Sequence, residues 1–221
     1  MRGTVVFDLD GTLAETAPDI MATLNVLLEA EDLAALPVSA ARNLVGAGAR
    51  ALIERGFRVS GVPLSPERLD RLFEAFLVHY LDHVADHSYL FPGVEAALTA
   101  LAGEGHLLAV CTNKPERHSR ALIEQLGVFD RFAAIAGRDT FAFCKPDPRH
   151  LTETIRLAGG DIGRAVMVGD SRTDIDTARA AGLPVVAVTF GYTDTPVEQL
   201  GPDVVINHFD ALPAEIARWM P

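Results

Sequence analysis

Residues 4–13 read TVVFDLDGTL: four residues, mostly β-branched and apolar, run straight into Asp8 and Asp10. An apolar run without polar alternation is the pattern of a strand covered on both faces, as in a parallel sheet. Two carboxylates at the end of such a strand repel each other. Either they cap an ordinary turn, or a positive charge sits between them.

Five further runs of the same kind follow: LLAVCTN (107–113), FAAIAG (132–137), AVMVGD (165–170), PVVAVTF (184–190) and DVVI (203–206). Amphipathic stretches lie between them, PERHSRALIEQLG (115–127), DPRHLTETIRLAG (147–159) and SRTDIDTARAAG (171–182), ending on glycine as helices commonly do. This alternation predicts an α/β fold with a doubly wound, parallel-sheet, Rossmann-like core. Residues 18–88 break it with helical patterns only: PDIMATLNVLLEAE, SAARNLVGAGARALIERG and SPERLDRLFEAFLVHYLDHVADH. The expectation is an inserted α-helical cap domain at 16–88, with the core formed by 1–15 and 89–221. Pro92-Gly93 marks the return as a turn into a helix.

The bulk composition narrows the function. With 221 residues, 49% of them hydrophobic, the chain has enough apolar surface for one large domain or a domain with an insertion. Nineteen Lys plus Arg against 30 Asp plus Glu leave a formal charge of −11. That balance argues against nucleic acid or an anionic membrane as partner, since both require a basic footprint. A small anionic substrate stays open, because a local cation reverses the sign of a pocket. Cys111 and Cys144 form no CxxC pattern and no disulfide framework, which fits a reducing cytoplasm. No apolar run reaches 18 residues and the N-terminus lacks a signal-peptide pattern, so a soluble cytoplasmic protein is expected. The chain carries no signal for an oligomeric state.

In open α/β sheets ligands bind beyond the carboxyl ends of the strands. There the chain delivers Asp8 and Asp10, Thr112-Asn113-Lys114, and Gly169-Asp170 with Asp174 four residues on; Lys145 precedes a helix starting near Asp147. Clustered carboxylates need neutralising, and a hard dication does this. Mg²⁺ takes oxygen ligands, commonly one or two carboxylates with waters and substrate phosphate. A carboxylate also serves as a nucleophile toward phosphorus, while a lysine and hydroxyl or amide donors must surround the transferring phosphoryl.

At this point FDLDGTL, Thr-Asn-Lys, Lys-Pro and GDSRTD resemble, in order, the four motifs of the haloacid dehalogenase superfamily. The chain is similar over its length to the phosphoglycolate phosphatases within it, through TAPDI, VGAGAR, PGV, CTNKP, VGDSRTDIDTARAAG and VTFGYT. The resemblance implies Asp8 as nucleophile and Asp10 as the acid that protonates the leaving alkoxide and then activates water. It implies Thr112 and Lys145 as phosphoryl-binding residues, with Asn113 positioning the group. Mg²⁺ would be held by Asp8, the backbone carbonyl of Asp10, Asp170 and, directly or through water, Asp174. Dehalogenases of the superfamily lack the second aspartate of the first motif, so Asp10 implies phosphatase chemistry. Glu15-Thr16 departs from the Asp-Ser of many relatives and leaves that chemistry intact.

The substrate expected from the resemblance is 2-phosphoglycolate. Alternatives are another phosphate ester (pyrophosphate, a sugar phosphate or a nucleotide) and a β-phosphoglucomutase-like phosphomutase. Phosphonate hydrolysis would require a cap lysine, and 18–88 contains none. A phospho-accepting signalling receiver also clusters aspartates with a Thr and a Lys, but lacks a helical insertion after its first strand. In the cap, two glycines interrupt Val45-Gly46-Ala47-Gly48-Ala49-Arg50, each costing roughly 1 kcal/mol in a helix interior. That suggests close backbone approach to something. Arg50 is a candidate partner for a substrate carboxylate or a plain surface charge, and Arg42 is a weaker candidate. His79, His83 and His87 repeat every four residues, as metal ligands or, as expected here, on a solvated or inter-domain face. Each aspartate alone also has a bland reading, with Asp170 or Ser171 as N-cap of the following helix. Cys111 and Cys144 read as small buried hydrophobes.

Overall fold

The computed structural model describes residues 3–40 and 48–220. Arg42 and the first half of the glycine-interrupted stretch, Val45 to Ala47, lie outside the described residues. The chain runs through β1 (Thr4–Phe7), β2 (Ala14–Glu15), α1 (Ala17–Glu29), α2 (Ala49–Val59), α3 (Pro66–Asp82) and β3 (Tyr89–Leu90). It continues through α4 (Val94–Gly103), β4 (Leu107–Cys111), α5 (Glu116–Gln125), β5 (Ala134–Ala136) and α6 (Pro148–Leu157). It ends with β6 (Ala165–Gly169), α7 (Arg172–Ala181), β7 (Val185–Val188), β8 (Val204–Ile206) and α8 (Leu212–Trp219).

Six strands form one parallel sheet in the order β5-β4-β1-β6-β7-β8, the doubly wound arrangement with β1 at the centre. β1, β4, β6 and β7 are buried nearly end to end because helices cover both faces, which is why their sequences do not alternate. Two apolar clusters fill the two sides of the sheet. One includes Val5, Phe7, Leu98, Val110 and Val168; the other includes Val6, Ala109, Leu151, Met167 and Ile175.

α1, α2 and α3 pack on one another, burying Met21, Leu24, Leu28, Ile53, Phe57 and Phe76. Both crossings between these helices and the sheet run through a short antiparallel ribbon that pairs Ala14 with Leu90 and Glu15 with Tyr89. A two-residue strand carries too little periodicity to be read from sequence, and this ribbon was not expected. Asp19 of α1 ties the returning chain down, accepting from the backbone N–H groups of His87 and Ser88 and from the Ser88 hydroxyl. The helical pattern expected to run to residue 87 stops at Asp82, with His83 at the C-cap.

Candidate active site

Register is what gathers the site. Phe7 stands level with Val110 of β4 and Val168 of β6, so Asp8, Thr112 and Asp170 emerge from one edge of the sheet within two residues of those positions. Gly11 makes the turn beyond Asp10 at a φ of 81°, where a side chain is disfavoured. A Cβ there would stand 2.6 Å from Asp170 Oδ2 and 2.9 Å from the Tyr192 ring. Gly11 therefore serves both the turn and close packing.

On the Asp8 side, Oδ1 accepts from the Leu9 N–H at 2.7 Å and lies 2.9 Å from Lys145 Nζ. The same ammonium donates to Asp174 Oδ1 at 2.6 Å, and Lys145 is only 3% exposed. Burial alone would lower the Lys145 ammonium, but Asp174 and Asp8 outweigh it and hold it above its ordinary range. The Lys145 backbone is fixed in turn. Its carbonyl accepts from Asn113 Nδ2 at 3.0 Å, and its N–H donates to His150 Nδ1 at 3.2 Å. His150 Nε2 faces the Gly137 carbonyl at 3.1 Å, which assigns the neutral Nε2–H tautomer. Burial and then Lys145 push His150 down to about 4. Asn113 Oδ1 is buried with no partner, an acceptor left open at the site.

Asp8, Asp170 and Asp174 each offer a carboxylate oxygen within 4.8 Å of the other two. Burial, then the neighbouring acids, raise Asp8 to about 7 despite Lys145, and drive Asp170 well above the usual carboxylate range. One lysine does not balance this cluster. Three hard oxygen donors with surplus negative charge fit Mg²⁺. Asp170 is already oriented for such an ion: Thr12 Oγ1 donates to Oδ1 at 2.8 Å and the Tyr192 N–H to Oδ2 at 2.6 Å. Asp174 does double duty. Its Oδ2 closes a capping box with Ser171 at the start of α7, and its Oδ1 binds Lys145. The cap role and the site role coexist in one side chain, and Ser171, rather than Asp170, is the N-cap.

On the Asp10 side, Oδ1 accepts from Thr16 Oγ1 and from Lys114 Nζ, both at 2.8 Å. Lys114 is 6% exposed; it also donates to Tyr80 Oη of α3 at 2.6 Å, with its ammonium 4.3 Å from that ring's centroid. Sequence reasoning placed Lys114 at the strand end and gave it no role. The signal lay in composition, since the whole chain contains two lysines, Lys114 and Lys145, and both are here. Tyr80, Thr16 and Tyr192 were also missed, because their partners are distant in sequence. A cavity of about 60 Å³ opens over Asp8, Asp10 and Asp170 and is walled on the cap side by Ile20, Leu52, Phe76, Leu77 and Tyr80. Gly48 and Ala49 border it, but a Cβ at Gly48 would meet only the Asn113 carbonyl, at 3.9 Å, so the expected close backbone approach is not made there.

Arg50 is not brought to the aspartates. Its guanidinium pairs with Asp70, lies 5.5 Å from the Phe73 ring centroid and leaves the side chain 48% exposed. It faces an adjoining cleft that also touches Asn113 and Arg138. Of the three histidines, His79 stacks on His83 and faces Thr23 Oγ1, His83 pairs with Asp86, and His87 uses its backbone on Asp19. Among the described residues the aspartate trio alone gathers three metal-ligating side chains. Cys111 is fully buried, and burial pushes its thiol up to about 12, an inert state. Cys144 is half-buried and free. No described helix is long and apolar enough to cross a membrane.

Comparison with known proteins finds relatives along nearly the whole chain. The chain is 56% identical over 98% of its length to a phosphoglycolate phosphatase of Mesorhizobium japonicum, covering 96% of that protein. It is 47% identical over 95% of its length to one from Caulobacter vibrioides, covering 89% of it. A crystal structure of a predicted phosphoglycolate phosphatase from Haemophilus somnus superposes with a TM-score of 0.89 at 28% identity, over 97% of this chain and 98% of that one. The family model of the haloacid dehalogenase-like hydrolases matches residues 5–188. With that match spanning most of the chain, and with relatives named as phosphatases aligned along nearly all of it, this protein belongs to the haloacid dehalogenase-like hydrolase family and is one of its phosphatases.

Proposed function

We propose that this enzyme is a Mg²⁺-dependent phosphomonoesterase whose substrate is 2-phosphoglycolate, released as glycolate and inorganic phosphate. The observation that carries the reading is the juxtaposition of two differently held aspartates, Asp8 against Lys145 and Asp10 against Lys114 and Thr16. Asp8 faces the buried Lys145 ammonium, which favours the carboxylate form that a nucleophile requires. Asp10 sits among donors at the edge of the chamber, where a leaving oxygen would stand. The names of the relatives support phosphoglycolate as the substrate.

In the first step an Asp8 carboxylate oxygen attacks phosphorus, the bond from phosphorus to the ester oxygen breaks, and Asp10 gives its proton to the departing alkoxide. In the second, Asp10 takes a proton from water, the oxygen of that water attacks phosphorus, and the acyl-phosphate bond to Asp8 breaks. Thr112, Asn113 and Lys145 surround the phosphoryl oxygens. Asp8, the Asp10 carbonyl, Asp170 and Asp174 would hold Mg²⁺, with Asp174 direct or through water. Bound there, the ion supplies charge neutralisation at the phosphoryl group. The unit at 16–88 acts as a cap that excludes water during transfer, with 1–15 and 89–221 as the core. Two free cysteines suit work in a reducing cytoplasm.

The test is a panel of 2-phosphoglycolate, pyrophosphate, a hexose phosphate and a nucleoside monophosphate, each with Mg²⁺ and with a chelator. The expected result is the highest kcat/KM for 2-phosphoglycolate and no turnover in chelator. A panel led by pyrophosphate or a hexose phosphate would overturn the substrate.

A further inference from the structure

Small phosphate esters differ in what they leave behind, and the chamber over the aspartates has an uneven distribution of charge. Its floor holds Asp8, Asp10 and Asp170; its cap-side wall is apolar. Among its described lining residues Lys114 is the one cation. Lys145, the chain's other lysine, is committed to Asp8 and Asp174. A second anionic group carried by the leaving half of a substrate has to be desolvated in this chamber. That is unfavourable unless it meets a cation and hydrogen-bond donors.

Lys114 has the donors to spare. Its ammonium carries three hydrogens, of which one goes to Asp10 and one to Tyr80 Oη. The Tyr80 hydroxyl accepts from Lys114, and its own hydrogen has no acceptor among the described residues. Burial and then Asp10 and Asp19 raise that phenol well above its ordinary range, so it stays a donor. Both groups stand beside the acid that serves the ester oxygen, and in phosphoglycolate the carboxylate lies one carbon from that oxygen's carbon. Arg50, by contrast, faces out of the chamber toward Asp70.

We propose that Lys114 Nζ and Tyr80 Oη together form the subsite for the carboxylate of the leaving group, making Lys114 a specificity-determining residue contributed by the core and Tyr80 its cap-borne complement. The inference rests on the phosphoglycolate reading and adds the residues that recognise the acid. The subsite spans the two parts of the chain, with one donor from α3 and the other from just beyond β4.

The experiment compares kcat/KM for 2-phosphoglycolate and for 2-hydroxyethyl phosphate, in which a hydroxymethyl group replaces the carboxylate. Lys114→Met, Lys114→Arg, Tyr80→Phe and Arg50→Ala are each measured with saturating Mg²⁺. Lys114→Met also disturbs Asp10 and slows both substrates, so the ratio is the readout. The expected result is a ratio reduced at least tenfold in Lys114→Met, several-fold in Tyr80→Phe, held within about threefold of wild type in Lys114→Arg, and unmoved in Arg50→Ala. Glycolate should inhibit wild type competitively and Tyr80→Phe several-fold more weakly, a readout that stands even where Lys114→Met does not fold. A ratio unchanged in Tyr80→Phe and the Lys114 variants, or one collapsing in Arg50→Ala, overturns the subsite and leaves the phosphoglycolate reading standing. A wild type indifferent to the carboxylate overturns both.

Discussion

Asp8 and Asp10 are two residues apart, yet their surroundings assign them different work. Asp8 lies against the buried Lys145 ammonium, while Thr16 and Lys114 donate to Asp10 at the mouth of the chamber, the difference on which the proposed roles rest. Asp8→Asn keeps the size and the Leu9 contact but removes the nucleophile, and steady-state kcat should fall by a factor on the order of 10³ or more. Retention of full turnover would refute an aspartyl-phosphate. His150 makes a pH prediction. Its folded value, about 4, lies below the ordinary histidine value of 6.5. Between those values the unfolded chain binds the extra proton, so stability falls as pH drops through this window. The loss is about 2 kcal/mol at pH 5. Thermal melts of wild type and His150→Gln with saturating Mg²⁺, at pH 7.5 and pH 5, should show a larger drop for wild type. Equal drops would mean His150 is not the group responsible.

At the scale of elements, one carboxylate fastens both the start of α7 and Lys145: Asp174 Oδ2 closes the capping box with Ser171, and Oδ1 accepts from Lys145. Ser171→Ala should cost about 1 kcal/mol through the lost cap, or roughly 2–4 °C in Tm for a domain of this size. It should also weaken Mg²⁺ binding, measured by calorimetry, because Asp174 loses its anchor. A Tm drop with unchanged Mg²⁺ affinity would separate the two roles. This pairing also shows what was legible beforehand. The strand ends were, since long apolar runs followed by Asp, Thr or Gly-Asp mark the ligand edge of a parallel sheet. Helices α5, α6 and α7 were as well, through their period and their closing glycines. The β2–β3 ribbon was not, being two residues per strand; nor was α8, a short helix beginning at Leu212-Pro213. Lys114 was visible at the strand end and had no assigned role, because its partners Asp10 and Tyr80 are distant from it in sequence.

Over the whole molecule, the site's carboxylates oppose folding until a cation joins them. Any ion that binds the folded state alone stabilises it by mass action, about 2.7 kcal/mol at a hundred times its Kd. Mg²⁺ should therefore raise Tm in a concentration-dependent way near neutral pH, and a chelator should reverse the shift. Asp170→Asn, which removes one charge from the trio, should flatten the dependence; a slope identical to wild type would put the ion elsewhere. Tyr192 links Asp170 to the start of α1: its N–H donates to Asp170, while its hydroxyl accepts from the Thr16 and Ala17 N–H groups where the chain enters the cap helices. Finally, a chain that has only two lysines and keeps both inside the site has a built-in spectroscopic label. Reductive methylation with isotopic formaldehyde, performed on unfolded protein and followed by refolding, would yield two lysine resonances. One would report on the surroundings of Asp8 and Asp174, the other on those of Asp10 and Tyr80. On the native enzyme both side-chain amines are buried, so acylating reagents should modify them far more slowly than on the unfolded chain, and the rate would report how often the folded protein exposes its site.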